Sequence, residues 1–364
     1  MSTPPTSRIH LSKRKKILFR IAAVSLTLLV TALLGEILLR TMVHLGVYGE
    51  NNGFVMFVRQ FEKNTKDVFG TVKKTGLFRM SQDPALGWEP IPGSSQPHIT
   101  INSSGFRGKE YSKTVKPGVL RIAFLGDSET FGYSLKKEHT LPGCLERSLN
   151  TFSKEKRYEV LNFGVPGYNT AQEFALLEKK AIRFNPSIVV VNYVFNDPMI
   201  ANPVILMKGG LLSHSYLYMA IVFMLKSFAT LEDLYQQSAS LEELYQRLHN
   251  SEYFATVRGQ LRRMESFLHE RNIRLILLIA PEVIGFENWK QYPYKNIHTQ
   301  LKAMSSQRLE IFDPLEYVSA SGFRPQEFWV TKNDCHKNAK ANDIIGASLA
   351  RYILNSGVGR PSEH

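Results

Sequence analysis

The sequence predicts an α/β fold: a flavodoxin-like three-layer α/β/α sandwich with a five-stranded parallel sheet, preceded by an amino-terminal transmembrane helix. Between residues 119 and 356, short apolar runs alternate with segments of helical pattern, which is typical of a parallel sheet with helices on both faces. The apolar runs are almost continuous, as expected for strands that are covered on both faces. Near the amino terminus, residues 21–35 carry no charge. Such a run indicates a membrane-spanning helix that is separate from the sheet.

The individual elements follow from this alternation. The predicted strands are 120–125, 159–163, 188–194, 274–279 and 310–312. The predicted helices are 141–152, 170–183, a long stretch near 215–248, 254–270 and 339–354. Five strands joined in this way fit the sheet order 2-1-3-4-5. Residues 83–105 are rich in proline, glycine and serine, which predicts extended chain over the domain edge.

The amino-terminal apolar segment is predicted to be a membrane anchor. As a helix, residues 17–39 would be about 34 Å long, which is enough to cross a bilayer. Basic residues precede it, which predicts a cytoplasmic amino terminus and places the rest of the chain on the outer, periplasmic side of the inner membrane. Glu36 and Arg40 are four residues apart and can pair at the outer rim. A cleaved signal peptide is the alternative, but no small-x-small cleavage motif follows the apolar run, which favours a single-pass anchor.

The predicted organisation has a basic cytoplasmic tail at 1–16, the span at 17–39 and a stalk or linker at 40–82. The α/β domain follows at 83–356, with a helical insertion at about 200–250, and residues 357–364 form a tail. The stretch 211–228 is apolar enough to suggest a second span. A second crossing would place Ser128 and His336 on opposite sides of the membrane, so we favour an amphipathic or lid helix.

Composition limits the possible partners. The formal net charge is +13, but six of the positive charges lie within the first twenty residues, where there is no acidic residue. No zinc-ligand spacing or basic stripe with interleaved aromatic residues is present, so we expect no nucleic-acid partner. The two cysteines, Cys144 and Cys335, are too few for a disulfide framework. Free thiols are favoured, and a single bridge remains open.

Polar residues follow the first three predicted strands. Asp127 and Ser128 come after the first strand, Gly167 lies in the turn after the second, and Asn196 follows the third. The carboxyl ends of parallel strands meet at one edge of a sheet, so these residues are expected to converge. Ser128 supplies a hydroxyl nucleophile, whereas the Gly167 N–H and the Asn196 amide can donate hydrogen bonds to a developing oxyanion.

Asp334-Cys335-His336, just before the last predicted helix, supplies a carboxylate and an imidazole. A serine that a histidine and a carboxylate can activate is the constellation of acyl-transfer chemistry. The sequence therefore predicts that two segments about two hundred residues apart share one site.

These blocks resemble the SGNH (GDSL-type) hydrolase family over about residues 83–356. The resemblance implies a triad in which Ser128 is the nucleophile, His336 is the base and Asp334 orients the imidazole. It also implies an oxyanion hole made of the Ser128 backbone N–H, Gly167 and Asn196, and no metal or organic cofactor. Two segments, residues 101–108 and the end of the amino-terminal helix at 36–40, are similar in sequence to the corresponding segments of membrane-anchored bacterial members.

Three positions depart from the family pattern. Glu129 stands where the family name has leucine, and Phe195 replaces the glycine that usually precedes the asparagine of the third block. The family often places its aspartate three residues before the histidine, a position that Asn333 occupies here. A one-residue separation occurs in alginate acetyltransferase-like relatives, so Asp334 is the favoured partner of His336 and Asn333 is the alternative.

Together these observations predict a membrane-anchored, extracytoplasmic serine esterase or O-acyltransferase. The preferred substrate is an O-acyl ester, first of all O-acetyl, on an envelope glycan. One alternative is a lipase or thioesterase acting on lipid acyl esters, with 211–228 as its lid. Another is a catalytically silent module that binds glycans or acts as a scaffold, because a fold by itself does not imply a substrate.

Overall fold

The computed structural model describes residues 13–47, 58, 76–83, 85–199, 215–225 and 238–357. These residues belong to two compact units, Met1–Glu62 with Gly209–Thr230, and Lys63–Lys208 with Leu231–His364. Most of the predicted stalk at 40–82 and most of the two predicted tails lie outside the described residues.

The elements within the described residues are as follows. The helices are α1 (Lys13–His44), α2 (Ser128–Phe131), α3 (Leu141–Phe152), α4 (Thr170–Lys179), α5 (Tyr216–Leu225), α6 (Leu241–His249), α7 (Glu252–His269), α8 (Lys295–Lys302), α9 (Leu315–Ser319) and α10 (Ala339–Asn355). The strands are β1 (Phe78–Met80), β2 (Trp88–Pro90), β3 (Ser95–Gln96), β4 (Ile99–Thr100), β5 (Val119–Gly126), β6 (Arg157–Gly164), β7 (Ile188–Tyr193), β8 (Arg274–Ile279), β9 (Leu309–Phe312), β10 (Trp329–Thr331) and β11 (Asp334–Lys337). Short 3₁₀ turns lie at Lys137–His139, Ala181–Phe184, Trp289–Gln291 and Pro325–Phe328.

The first unit contains α1 and the ten-residue α5, which pack against each other. Residues Ile17–His44 of α1 are long and apolar enough to cross a membrane, with a mean hydropathy of 2.3. A signal sequence near an amino terminus would pass the same test of length and composition. Glu36 and Arg40 form the predicted pair, with 2.6 Å between Glu36 Oε1 and Arg40 Nε.

The second unit is built on the predicted parallel sheet. Its five strands lie in the order β6-β5-β7-β8-β9, which is the predicted order 2-1-3-4-5. Every pair in this sheet is parallel. Strands β5 and β6 stay in register from Val119 opposite Arg157 to Gly126 opposite Gly164. The fold class predicted from the sequence is therefore confirmed.

Successive side chains of β5 enter two separate cores, because side chains alternate between the faces of a strand. Ala123 and Leu125 belong to the core beneath α4, α6 and α7. Ile122 and Phe124 belong to the core beneath α3 and α10. All four side chains have no exposed surface, so the sheet is the middle layer of the predicted sandwich.

Two helices are shorter than the sequence pattern indicates. The helix predicted at 170–183 ends at Lys179, and a 3₁₀ turn follows and closes on the left-handed residue Asn185. The stretch predicted near 215–248 contains α5 and α6, with residues 226–237 outside the described part of the chain. A new helix begins after Ser240 because its side chain accepts a hydrogen bond from the Glu243 backbone N–H at 3.1 Å.

The segment that precedes β5 is extended and lies along the domain edge. Its two short antiparallel pairs are β1 with β2 and β3 with β4. Trp88 Nε1 donates to the Pro166 carbonyl at 3.0 Å, and Gln172 Nε2 donates to the Leu86 carbonyl at 2.8 Å. Arg107 is buried and donates to the carbonyls of Phe131 and Gly132, just after α2. This segment therefore holds the loops at the carboxyl edge of the sheet.

Strands β10 and β11 form an antiparallel hairpin that the sequence pattern does not predict. The hairpin comes directly before α10 and contains Asp334 and His336. Its four-residue second strand is too short for a periodic hydrophobic signal.

Candidate active site

Ser128 begins α2 immediately after β5. Asp127 caps this helix, and its Oδ1 accepts a hydrogen bond from the Glu129 backbone N–H at 2.9 Å. Gly126 has a φ of 153°, and a Cβ at this position would lie 2.1 Å from Thr130 Oγ1. The strand can turn this sharply into the helix only with glycine at 126, and the turn presents the Ser128 hydroxyl at the sheet edge.

The structure brings Ser128, His336 and Asp334 together in one hydrogen-bonded series. Ser128 Oγ lies 2.9 Å from His336 Nε2, and His336 Nδ1 lies 2.6 Å from Asp334 Oδ1. In the tautomer with the proton on Nδ1, the imidazole donates to Asp334 and its Nε2 accepts from the serine hydroxyl. This is the arrangement that a general base needs for taking the serine proton.

The hairpin explains why Asp334 rather than Asn333 contacts the imidazole. Residues 334 and 336 of β11 point to the same side of the strand, because side chains alternate along it. Asn333 precedes the strand and is exposed, and its backbone N–H donates to Thr331 Oγ1 at 3.2 Å. Ser134 Oγ donates to Asp334 Oδ2 at 2.8 Å. Ser134 is a site contact that sequence reasoning missed, and no motif pointed to it.

A second link joins the turn at Ser128 to the hairpin of β10 and β11. The Glu129 carboxylate accepts from the Lys337 backbone N–H at 3.1 Å and from Lys337 Nζ at 3.2 Å. Lys337 is almost fully buried. Glu129 follows the serine and Lys337 follows the histidine, so this ion pair holds the two segments that carry the reacting groups. The sequence shows that Glu129 departs from the family pattern, but it does not show that Lys337 is its partner.

The charges around the imidazole set its proton affinity. Burial opposes the charged ring, but the Glu129 carboxylate and the hydrogen bond to Asp334 outweigh it and raise the pKa of His336 above its ordinary value. Burial also acts on Asp334, yet the hydrogen bonds from His336 and Ser134 lower the pKa of Asp334. Asp334 is therefore ionised wherever His336 accepts a proton.

Asp127 behaves differently from Asp334. Burial and the nearby Glu129 charge raise the pKa of Asp127 to about 6. Its Oδ2 lies 3.4 Å from Ser128 Oγ, a longer contact than the one with His336. Asp127 is thus a loop acid that shapes the turn.

Asn196 and Gly167 occupy the loops after β7 and β6. Asn196 is exposed and lines a cavity of about 250 Å³ together with Ser128 and His336. Gly167 has a φ of 77°, and a Cβ there would lie 3.1 Å from the Trp88 ring, but it is not among the residues that line this cavity. The structure therefore brings Asn196 to the cavity of Ser128 and places Gly167 in the neighbouring turn.

Phe195, where the family usually has glycine, packs into an aromatic cluster behind the Asn196 loop. Its ring centroid lies 5.4 Å from that of Tyr294 and 5.5 Å from that of His298. His249 is also buried there and bonds to the Tyr193 hydroxyl at 2.8 Å. This cluster anchors the loop from behind, and its histidines serve packing.

The other walls of the cavity come from the loop after β8. They include Ala280, Glu282 and Ile284, with Tyr245 from α6. Burial raises the pKa of Glu282, and its backbone N–H donates to the Tyr292 hydroxyl at 3.2 Å. No sequence motif indicates a role for Glu282. It reaches the cavity because β7 and β8 are neighbours in the sheet.

Two buried carboxyl groups lie behind the site. Asp197, next to Asn196, accepts from Thr170 Oγ1 at 3.0 Å, which braces the loop against the start of α4. Glu173 is fully buried, and neither of its carboxyl oxygens has a hydrogen-bond partner among the described residues. Burial and the nearby Asp197 charge raise the pKa of Glu173 well above its ordinary value. Burial and the nearby Asp127 charge likewise raise the pKa of Asp197.

Both cysteines are free thiols, Cys144 in the core and Cys335 beside the cavity. Among the described residues, no group of three or more histidine, cysteine or acidic side chains is placed to hold a metal ion.

The sheet has the predicted order. Ser128 follows its first strand along the chain, and His336 precedes the last helix. These features agree with the fold that the resemblance to SGNH (GDSL-type) hydrolases implies. Solved structures of lipolytic proteins and esterases are similar to this chain. A lipolytic protein of the G-D-S-L family from Desulfitobacterium hafniense is 15% identical with a TM-score of 0.36, over 64% of this chain and 98% of its own.

Two further similar structures are a lipase/acylhydrolase from Enterococcus faecalis and a two-domain esterase described as active on acetylated mannans. The first is 16% identical with a TM-score of 0.38, over 66% of this chain and all of its own. The second is 16% identical with a TM-score of 0.39, over 65% of this chain and 49% of its own. No family model and no curated protein sequence matches the chain. At such identities and TM-scores, the chemistry of this chain has to be argued from its own site.

Proposed function

We propose that this chain is a membrane-anchored serine esterase or O-acyltransferase acting on short acyl esters, first of all O-acetyl groups of an envelope glycan. The observation that carries the proposal is the hydrogen-bonded series from Ser128 Oγ through the His336 imidazole to the Asp334 carboxylate. The series lies open to a cavity at the sheet edge where α/β proteins bind their ligands.

In the proposed reaction, Ser128 Oγ attacks the ester carbonyl carbon while His336 Nε2 takes the hydroxyl proton. The tetrahedral intermediate collapses, the bond to the alcohol oxygen breaks, and His336 returns the proton to the departing alcohol. Water or a second hydroxyl then attacks the acyl carbonyl carbon while His336 takes its proton. The bond between the acyl group and Ser128 Oγ breaks, and His336 returns the proton to Ser128 Oγ. Asp334 stabilises the imidazolium in both halves, and the N–H groups of Ser128, Gly167 and Asn196 are the proposed oxyanion donors.

The size and lining of the cavity support a short acyl group. A volume of about 250 Å³ is below the range of about 300–1,000 Å³ that is usual for drug-sized ligands. Polar side chains such as Glu129, Asn196 and Glu282 line it, which suits a hydroxylated alcohol better than a long alkyl chain.

Contacts in the first unit support an anchor over a cleaved signal peptide. Glu36 and Arg40 bond to each other and contact the start of α5. A signal peptide that is removed would have no reason to carry side chains matched to a segment far along the chain. The proposed location is thus the outer face of the inner membrane, with the amino terminus in the cytoplasm.

The test is labelling of the full chain with a fluorophosphonate probe, followed by hydrolysis of p-nitrophenyl esters of increasing chain length. We expect labelling of the wild type, its loss in Ser128→Ala and His336→Ala, and unchanged labelling in Ser266→Ala, an exposed serine of α7. Absence of labelling in the wild type would indicate a silent binding module. A strong preference for long acyl chains would indicate a lipase or thioesterase.

A further inference from the structure

We infer that α5 lies in the outer lipid–water interface beside the anchor and gives this chain a second contact with the bilayer. Lipid covers the apolar surface of α5. The inference rests on the membrane anchoring proposed above, and it concerns only the unit formed by α1 and α5.

The Glu36 carboxylate of α1 caps the amino terminus of α5. It accepts from Ser215 Oγ at 2.8 Å and from the backbone N–H groups of Tyr216 and Leu217, each at 2.9 Å. Arg40 Nε donates to the same carboxylate at 2.6 Å. A charge at the edge of the hydrocarbon layer is tolerated when it is paired and hydrogen-bonded in this way.

The contact between the two helices is confined to the outer end of α1. Residues 17–34 are all exposed, whereas burial begins at Gly35 and continues on one face to Val43. A Cβ on Gly35 would lie 4.0 Å from the Leu217 side chain, and the Arg40 guanidinium lies 4.5 Å from the centre of the Tyr216 ring. Since the span is predicted at 17–39, α5 meets the anchor where the chain leaves the hydrocarbon layer.

The composition of α5 requires an apolar neighbour. Its ten residues, Tyr216–Leu225, contain no charged side chain. Ile221 is 42% exposed, and Leu217 and Tyr218 are half-buried, so α1 leaves the apolar surface at these three residues uncovered. Exposure of such a surface to water is unfavourable in proportion to its area.

The length of α5 excludes a second crossing and fits an interfacial position. Ten helical residues extend about 15 Å, which is half of the hydrocarbon thickness of about 30 Å. Tyr216 and Tyr218 stand at its capped end, and tyrosine is enriched at the membrane–water boundary. The part of α1 that contacts α5, between Gly35 and Val43, directly follows the exposed residues 17–34, which the anchor presents to lipid. Lipid therefore covers the exposed surfaces of both helices.

The test measures depth in the membrane with spin labels. The full chain, with Cys144→Ala and Cys335→Ala, is reconstituted in vesicles of phosphatidylcholine and phosphatidylglycerol and labelled in turn at Leu29→Cys, Ile221→Cys and Tyr317→Cys. We expect the labels at 29 and 221 to collide more with oxygen than with a water-soluble nickel chelate, and the label at 317, an exposed position of the second unit, to show the reverse.

The outcomes separate the two proposals. A label at 29 in lipid with a label at 221 in water overturns this inference and leaves the anchor. Labels at both 29 and 221 in water overturn the anchor as well. If neither oxygen nor the nickel chelate reaches the label at 221, and the label becomes accessible when the protein is diluted in excess lipid, a second copy of the chain covers α5 instead of lipid. This outcome also overturns the inference.

A variant tests the role of the cap. Glu36→Ala removes the acceptor of the α5 N–H groups, so we expect the label at 221 to shift toward the nickel chelate. The matched control Ile37→Ala changes an exposed neighbour in α1 and leaves the label unchanged. An unchanged label at 221 in Glu36→Ala would overturn the role given to Glu36.

Discussion

At the residue scale, two carboxylates act on the His336 imidazole. Asp334 contacts it directly, and Glu129 acts through its charge while bonding to Lys337. Both raise the pKa of His336, so its protonated form persists to higher pH than for a free histidine. Because the base must be neutral to take the serine proton, activity is expected to fall as pH decreases through this raised pKa.

Removing the Glu129 charge tests this account. In Glu129→Gln the imidazolium loses a stabilising neighbour, so the acidic limb of the kcat/KM profile is expected to move to lower pH. The measurement is p-nitrophenyl acetate hydrolysis from pH 5 to 9 by the full chain. Glu316→Gln, an exposed change at α9, serves as the control and keeps the wild-type profile. An unmoved profile in Glu129→Gln would exclude its electrostatic role.

The neighbouring pair Asp334 and Asn333 allows a direct comparison. Asp334→Asn keeps the shape of the side chain but favours the wrong imidazole tautomer, and we expect kcat to fall by about 10⁴-fold. Asn333→Ala, in the exposed turn, is expected to stay near the wild-type rate. The measurement is the kcat of the two variants by steady-state kinetics. A larger loss of kcat in Asn333→Ala than in Asp334→Asn would make Asn333 the orienting residue.

Glu173 supplies a prediction about stability and pH. Its folded-state pKa is raised well above the ordinary value of 4.5, so the stability linked to its proton is fully present below that value. This stability is lost as pH rises toward the folded-state pKa, by up to about 1.4 kcal/mol for each pH unit.

Urea unfolding of the full chain in detergent, between pH 5 and 9, measures the effect. Glu173→Gln is expected to flatten the decline in the free energy of unfolding, because the amide carries no titrating proton. Glu178→Gln, an exposed change in the same helix, keeps the wild-type slope. Equal slopes in all three proteins would contradict the raised pKa of Glu173.

At the element scale, the turn from β5 into α2 depends on one glycine. A Cβ at Gly126 would lie 2.1 Å from Thr130 Oγ1, and φ at this position is 153°. We expect Gly126→Ala to destabilise the fold and to displace Ser128 from His336, with loss of probe labelling. Gly259→Ala in α7 is the control, because nothing lies within 4 Å of the added Cβ. That change is expected to stabilise the helix by about 0.5–1 kcal/mol, measured by denaturant unfolding.

Elements also differ in how far the sequence predicts them. Long helices such as α3 and α10 carry enough apolar positions to reveal their bounds, and the five sheet strands are apolar over most of their length. The hairpin of β10 and β11 has no such signal, because its strands are three and four residues long. Its existence depends on docking beside α2, where Lys337 meets Glu129.

At the scale of the whole molecule, orientation in the membrane is the property to test. A reporter that is active only outside the cytoplasm, fused after residue 60, is expected to be active, because the basic residues before the span favour a cytoplasmic amino terminus. Fusion at residue 12, before α1, is the matched control and should give an inactive reporter. Activity in the second fusion alone would reverse the orientation and remove the envelope substrate from the proposal.

The sequence by itself determined the fold class, the strand order and the residues with the right chemistry at the strand ends. It could do so because periodicity and chain order are local properties, and parallel strands always bring their carboxyl ends to one edge. Only the tertiary structure decided that Asp334 rather than Asn333 meets the imidazole, that Glu129 pairs with Lys337, and that Glu36 caps α5. Each of these contacts joins residues whose distance and direction depend on how separate elements pack, and no local pattern along a chain encodes that.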